Sequence, residues 1–95
     1  MKIIFTENAE KTYFDITNKY SQTKADAFAE KTIIILNLIQ ENNYIGSRYG
    51  KTSYRKFLIS NHVYLFYTIE IQVIYIILFW DNKRKPLDLD VILSS

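Results

Sequence analysis

The chain has 95 residues, 48% of them hydrophobic and 16% aromatic, with two glycines, one proline, one histidine and no cysteine. That composition points to one globular domain spanning 1–95 and excludes disulfides and thiolate metal sites. A lone histidine, His62, does not make a zinc site, and neither a metal nor a cofactor is expected. Net charge is only +2, but residues 48–85 carry seven Lys/Arg against two acids, while residues 1–47 carry five against six. An anionic partner would therefore dock on the second half.

The first run, "KIIFT" (2–6), reads as a strand. Ala9, Tyr13, Ile16 and Tyr20 then recur on one helical face, with Thr6 as cap and Glu7 and Glu10 at the positive helix end. "SQT" breaks this helix, and Thr23 is the expected cap of the next, with Asp26 three residues on. Ala25, Phe28, Ala29, Thr32, Leu36 and Ile39 line its core face, and Ile33, Ile34, Ile35 and Leu38 widen the stripe, so this helix should be the more buried of the two. "ENNYIG" should end it through residues with positive backbone angles.

Beyond "GSRYGKTS" the period changes to two. "YRKFLI" (54–59), "VYLFYTIE" (63–70) and "VIYIILFW" (73–80) are three strands joined by very short turns, hence antiparallel neighbours. The last is apolar on both faces, which marks an interior strand. The expected fold class is α+β, in the order β-α-α-β-β-β, with two N-terminal helices on one face of an antiparallel sheet. The other face would then be open, and function is expected there.

Neither "TIIILNLI" (32–39) nor "VIYIILFW" approaches the ~20 residues of a membrane-spanning helix. "MKIIFTENAE" does not resemble a signal peptide. A soluble cytoplasmic protein with no membrane partner is expected.

There is no phosphate-binding glycine loop, metalloprotease motif or nucleophile elbow. Asp88 and Asp90 form a candidate carboxylate pair, although a polar tail explains them equally. Tyr64 and Phe66 alternate along one strand face and could stack bases, or simply pack. Arg55, inside an aromatic strand, requires a partner or an open cleft. If its strand lay beside 73–80, Arg55, Arg84 and Lys51 would converge at one end of the open face and could hold a phosphate. Salt bridges to Asp81 or Glu70 are the structural alternative. "DNKRKP" ends the last strand with Lys83, Arg84 and Lys85, a soluble turn or a surface for an anion.

The whole pattern resembles the RelE/ParE superfamily of toxins from type II toxin–antitoxin systems. The resemblance rests on "YIG", "YRKFLISNHVYLFYTI" and "VIYIILFWDNKRKP" and covers roughly residues 2–88. It implies a bacterial growth inhibitor neutralised by a cognate antitoxin, and in RelE-like members an endoribonuclease that cuts mRNA on the ribosome. Lys51, Arg55 and Arg84 match the family's basic positions. The resemblance makes Arg55 and Arg84 catalytic, with Asp90 the expected third member; Lys51, and by their own placement Lys83, Lys85, Tyr64 and Phe66, are expected to hold substrate. The family's C-terminal Tyr or His for proton transfer has no counterpart, so Asp90, Asp88 or His62 would have to substitute. ParE-like members poison DNA gyrase instead and lack that catalytic set, which makes gyrase the alternative partner.

Overall fold

The computed structural model describes residues 1–94. In chain order it contains β1 (Lys2–Phe5), α1 (Glu7–Thr17), α2 (Gln22–Glu41), β2 (Ser47–Arg48), β3 (Arg55–Ser60), β4 (Val63–Glu70), β5 (Val73–Asp81) and α3 (Pro86–Ser94). The expected order is present, with a two-residue strand and a C-terminal helix added to it. The sheet runs β1-β5-β4-β3-β2. β1 lies parallel to β5 and the other pairs are antiparallel, so the sheet is mixed. β5 is interior, as its two apolar faces require.

Thr6 caps α1, its hydroxyl accepting from the Ala9 amide at 3.1 Å. α1 stops at Thr17, so Tyr20 lies past the helix, yet its ring still packs on Phe28 with centroids 5.8 Å apart. The cap of α2 is Ser21, which accepts from the Lys24 amide, rather than Thr23. Ser21 comes first in the chain and already has the extended backbone a cap needs. α2 ends at Asn42 with φ −142°, and the positive φ values lie elsewhere, at Gly50, Ile71 and Gln72. Gly46 serves space instead: a Cβ there would meet Tyr67 Cε1 at 2.8 Å and the Lys56 carbonyl at 2.9 Å. Ile71 and Gln72 form the two-residue β4–β5 hairpin turn, whose twist requires left-handed angles at both positions.

One face of the sheet packs under α1 and α2. Phe28, Ile35 and Ile39 from α2 meet Ile59, Leu65, Tyr67, Ile74, Ile76 and Phe79. Tyr13, Phe28 and Phe79 form a ring cluster with centroids 5.2–6.3 Å apart. The stripe on α2 is narrower than its sequence suggests. Ile33 and Ile34 are 58% and 59% exposed and Leu38 is exposed as well. One helix against one sheet face buries about a third of its circumference, and the consecutive isoleucines point around the rest.

The second face is not open. Residues 86–94, expected to be a polar tail, form α3, and Leu89 and Leu93 bury themselves against Phe66, Leu78 and Trp80. The two aspartates in "DLDVIL" disguise a short amphipathic helix, because apolar residues flank each acid.

Candidate functional site

A β-bulge builds the site. Phe66 pairs with Leu78 while the next residue, Tyr67, pairs with Ile76, so Ile77 is the extra residue in β5. A bulge re-aims everything beyond it. Before it, Ile74 and Ile76 face the helices; after it, Phe79 takes that side and Leu78 and Trp80 face the other. α1 satisfies the backbone at the irregularity. The Thr6 hydroxyl reaches the Ile76 and Ile77 carbonyls at 3.1 and 2.8 Å, and Thr12 Oγ1 accepts from the Phe79 amide at 2.9 Å.

Trp80 is thereby set directly across from Tyr64 on β4. Lys56 Nζ lies 4.9 Å from the Tyr64 ring centroid, and the Arg84 guanidinium lies 4.5 Å from that of Trp80. Cation, tyrosine, tryptophan and cation thus form one row across three strands. Stacking on an aromatic face orients a guanidinium while leaving its donors usable.

The turn after β5 holds the cations in place. The Asp81 carboxylate accepts from the Lys83 amide at 2.9 Å and the Asp81 carbonyl from the Arg84 amide at 2.9 Å. The Asn82 amide donates to the His62 carbonyl at 2.7 Å, tying the β3–β4 turn to this one. Lys83, Arg84 and Lys85 are all exposed. Arg84 also borders a cleft of about 710 Å³ shared with His62, Lys83, Lys11, Lys19 and Lys24. Its carboxylates are Asp15 and Asp81, and Asp15 is paired with Lys11 at 3.0 Å. The cleft is net positive, and one histidine stands among the cations.

The expected cluster of Lys51, Arg55 and Arg84 is not assembled. β3 pairs with β4 and β2, not β5. Arg55 is opposite Tyr67 and Asp81 opposite Val63, so the two arginines sit two strands apart and roughly 13 Å apart along the strand direction. Lys51 is in the β2–β3 loop, at Arg55's end. Arg55 donates to the carbonyls of Tyr44 and Gly46 at 3.2 and 2.7 Å and lies 4.9 Å from the Tyr44 ring. It fastens the chain leaving α2. Among the described residues the one ion pair is Lys11–Asp15, so neither arginine is bridged to Asp81 or Glu70.

Tyr64 is partly exposed, but Phe66 is buried under Tyr49, whose ring meets it edge-on at 5.3 Å, so Phe66 cannot stack on a base. Asp90 stands on α3 and accepts a short hydrogen bond from the Tyr49 hydroxyl. That bond, with burial adding to it, raises the Tyr49 phenol above its ordinary pKa. Asp88 is exposed in the first turn of α3.

Tyr49, Thr12 and Tyr67 were not singled out by the sequence. Tyr67, fully buried, accepts from the Gly46 amide and donates to the Asn43 carbonyl, each at 2.9 Å. Burial raises its phenol, against the opposing influence of the Gly46 amide and Arg55. A tyrosine in a glycine-bearing loop was the only available hint of Tyr49; Thr12 and Tyr67 gave none. Among the described residues no group of three or more His, Asp or Glu could hold a metal ion, and no helix is long and apolar enough to cross a membrane.

No protein-family profile and no curated protein matches the sequence. Solved structures do match. A YoeB/ParE toxin from Agrobacterium tumefaciens superposes with a TM-score of 0.67 at 12% identity, covering 85% of this chain and 98% of that one. This is the RelE/ParE fold. A YoeB dimer from Staphylococcus aureus gives 0.63 at 22% identity over 82% of this chain and 92% of that one. YafQ from E. coli gives 0.63 at 10% identity over 86% and 93%. The RelE/ParE resemblance seen in the sequence thus holds at the level of the fold.

Proposed function

We propose that the chain is the toxin of a type II toxin–antitoxin pair and acts as a ribosome-dependent mRNA endonuclease. The observation that supports this most directly is Arg84, stacked on Trp80, free of any carboxylate partner among the described residues and flanked by Lys83 and Lys85. RNA carries its own nucleophile, the 2′-hydroxyl next to the scissile phosphate. A protein that cuts it must hold that phosphate, stabilise the extra negative charge of the transition state and move a proton. In this reading Arg84 holds the phosphate oxygens, Lys83 and Lys85 attract the strand, and Tyr64 with Lys56 carries it across the sheet.

Proton transfer falls to His62, which shares the cleft with Arg84, rather than to Asp90, whose carboxylate is engaged by Tyr49. Arg55 acts only at a distance, by fastening the chain that leaves α2. A cognate antitoxin would bring acidic residues to the same cations. The cytoplasm is where such a toxin would meet its ribosomes.

A second reading, a ParE-like gyrase poison, is favoured by α3, which covers much of the sheet face that RNA would otherwise use. Purified toxin added to ribosomes programmed with mRNA separates the two. Cleaved message with wild type, reduced about a hundredfold in Arg84→Ala, supports the nuclease; that is the usual effect of removing one positioned donor. Intact message together with trapped gyrase–DNA complexes would reverse the assignment.

A further inference from the structure

The cleft beside Arg84 collects more positive charge than the fold can use. Two turns wall it: the α1–α2 turn brings Lys19 and Lys24, and the turn after β5 brings Lys83 and Arg84. With Lys11 there are five cations against the carboxylates of Asp15 and Asp81, a net +3. Among the described residues only Lys11 is paired, with Asp15 at 3.0 Å. The Asp81 carboxylate is spent on its own turn, accepting from the Lys83 amide. Lys24 stands in the first turn of α2, which holds no acidic residue. Its charge therefore adds to the positive end of that helix, a placement that opposes the helix unless an anion answers it.

Neither wall is loose. Ser21 caps α2 by accepting from the Lys24 amide at 3.2 Å, and the Tyr20 amide donates to the Thr17 carbonyl at 3.0 Å. Lys24 Nζ lies 4.3 Å from the Tyr20 ring centroid, so each wall holds a cation on an aromatic ring. The walls also feel one another: burial, and then the charge of Asp81, raise the Tyr20 phenol. No Phe, Tyr or Trp face on the lining is free for a base. Tyr20 is taken by Lys24 and Phe28, and the Phe79 ring beneath is buried. The cleft is built to read phosphate and not base.

A single phosphate carries about two charges and leaves part of the set unmatched, whereas three linked phosphates carry about four in a compact span. A single RNA strand spreads its charge one per nucleotide and presents bases besides. We infer that this cleft binds a triphosphate group, either as inorganic tripolyphosphate or on a nucleoside whose base stays in solvent. Lys19 and Lys24 hold one end of the group, and Lys83 and Arg84 the other. The binding does not depend on what the chain cuts or poisons. Its consequence, that the ligand competes with an RNA phosphate for Arg84, rests on the nuclease reading.

Titration calorimetry of the purified chain at one fixed ionic strength, read alongside thermal melts, tests this without any activity measurement. Tripolyphosphate should bind in the micromolar range and orthophosphate about a hundredfold more weakly. Lys19→Ala and Lys24→Ala should each weaken tripolyphosphate about tenfold with an unchanged melt. Asp15→Asn should tighten it several-fold, because it removes a carboxylate from the cleft and frees Lys11. Lys2→Ala, beside Val73 at the far end of β5, should change nothing. ATP and GTP should bind alike; both tighter than tripolyphosphate would make a nucleotide the ligand, both weaker the inorganic chain. Tripolyphosphate no tighter than orthophosphate, or weakened as much by Lys2→Ala as by Lys24→Ala, overturns the inference. So does a short single-stranded RNA that binds through Lys19 and Lys24 where tripolyphosphate does not bind, which would make the cleft part of an RNA path.

Discussion

The sheet face beneath α1 and α2 buries Phe28, Ile74, Ile76 and Phe79 among side chains from most elements of the chain, whereas the face beneath α3 is closed by Leu89, Leu93 and the bond from Tyr49 to Asp90. The first is a core built on two helices that each bring a turn or more of apolar residues. The second is a cover fastened at a few points, over a row in which cations lie on aromatic rings. The deep core and the row of cations on aromatic rings thus lie on opposite sides of one sheet. The difference matters because a cover with few attachments can open without unfolding the layer behind it.

The largest effect should come from the helix side. Phe79→Ala removes a ring shared with Phe5, Tyr13 and Phe28 and should cost about 4 kcal/mol, read by denaturant unfolding. On the opposite side Leu89→Ala should cost about 2 kcal/mol, the low end for a buried leucine, because α3 can shift to fill the gap. Trp80 fluorescence should move to the red in that variant while the helical signal of α1 and α2 stays. Equal losses at both positions would erase the distinction between core and cover.

Thr12→Val probes the seam between the layers. It keeps the shape but leaves the Phe79 amide without its acceptor, at a cost of about 1–2 kcal/mol. Hydrogen exchange should localise the loss to β5 around the bulge; a uniform loss across the sheet would assign Thr12 a packing role only.

The smallest effect belongs to Tyr49→Phe, about 0.5–1 kcal/mol from one hydrogen bond to a carboxylate near the surface. Its pH dependence is the sharper readout. The Tyr49 phenol is raised above 10.0, first by the Asp90 hydrogen bond and then by burial. A phenol raised in the folded state contributes stability that is fully present below about pH 10 and lost as pH climbs through the folded value. The stability gap between wild type and variant should therefore narrow at alkaline pH. Parallel curves would show that the bond to Asp90 does not fasten α3.

How much of this could be read from the chain follows the same division. α1, β4 and β5 were legible because their periodicity and caps are local: Thr6 beside Glu7 and Glu10, alternation from Val63 to Glu70, and two-residue turns. α3 was hidden because Asp88 and Asp90 make a short apolar helix look like a tail. The exposure of Ile33, Ile34 and Leu38 was hidden because hydrophobicity does not say which side of a helix finds a partner. Arg84 could be picked out by its place after an apolar strand. The supposed proximity of Arg55 failed because strand order is non-local, and β4 stands between β3 and β5.

The bulge in β5 also decides which changes of length the strand tolerates. Ile77 is the extra residue and lies on the same side as Leu78. Removing it would leave Ile76 and Leu78 adjacent in regular alternation, with Phe79 still beneath the helices and Trp80 still opposite. What would go is the irregularity itself: the Ile77 carbonyl that accepts from Thr6 at 2.8 Å and the added twist of a bulged strand. One more residue between Leu78 and Phe79, carried on in regular alternation, would instead turn Phe79 outward and drive Trp80 under α1 and α2. The strand can therefore shed a residue at this point more readily than it can gain one.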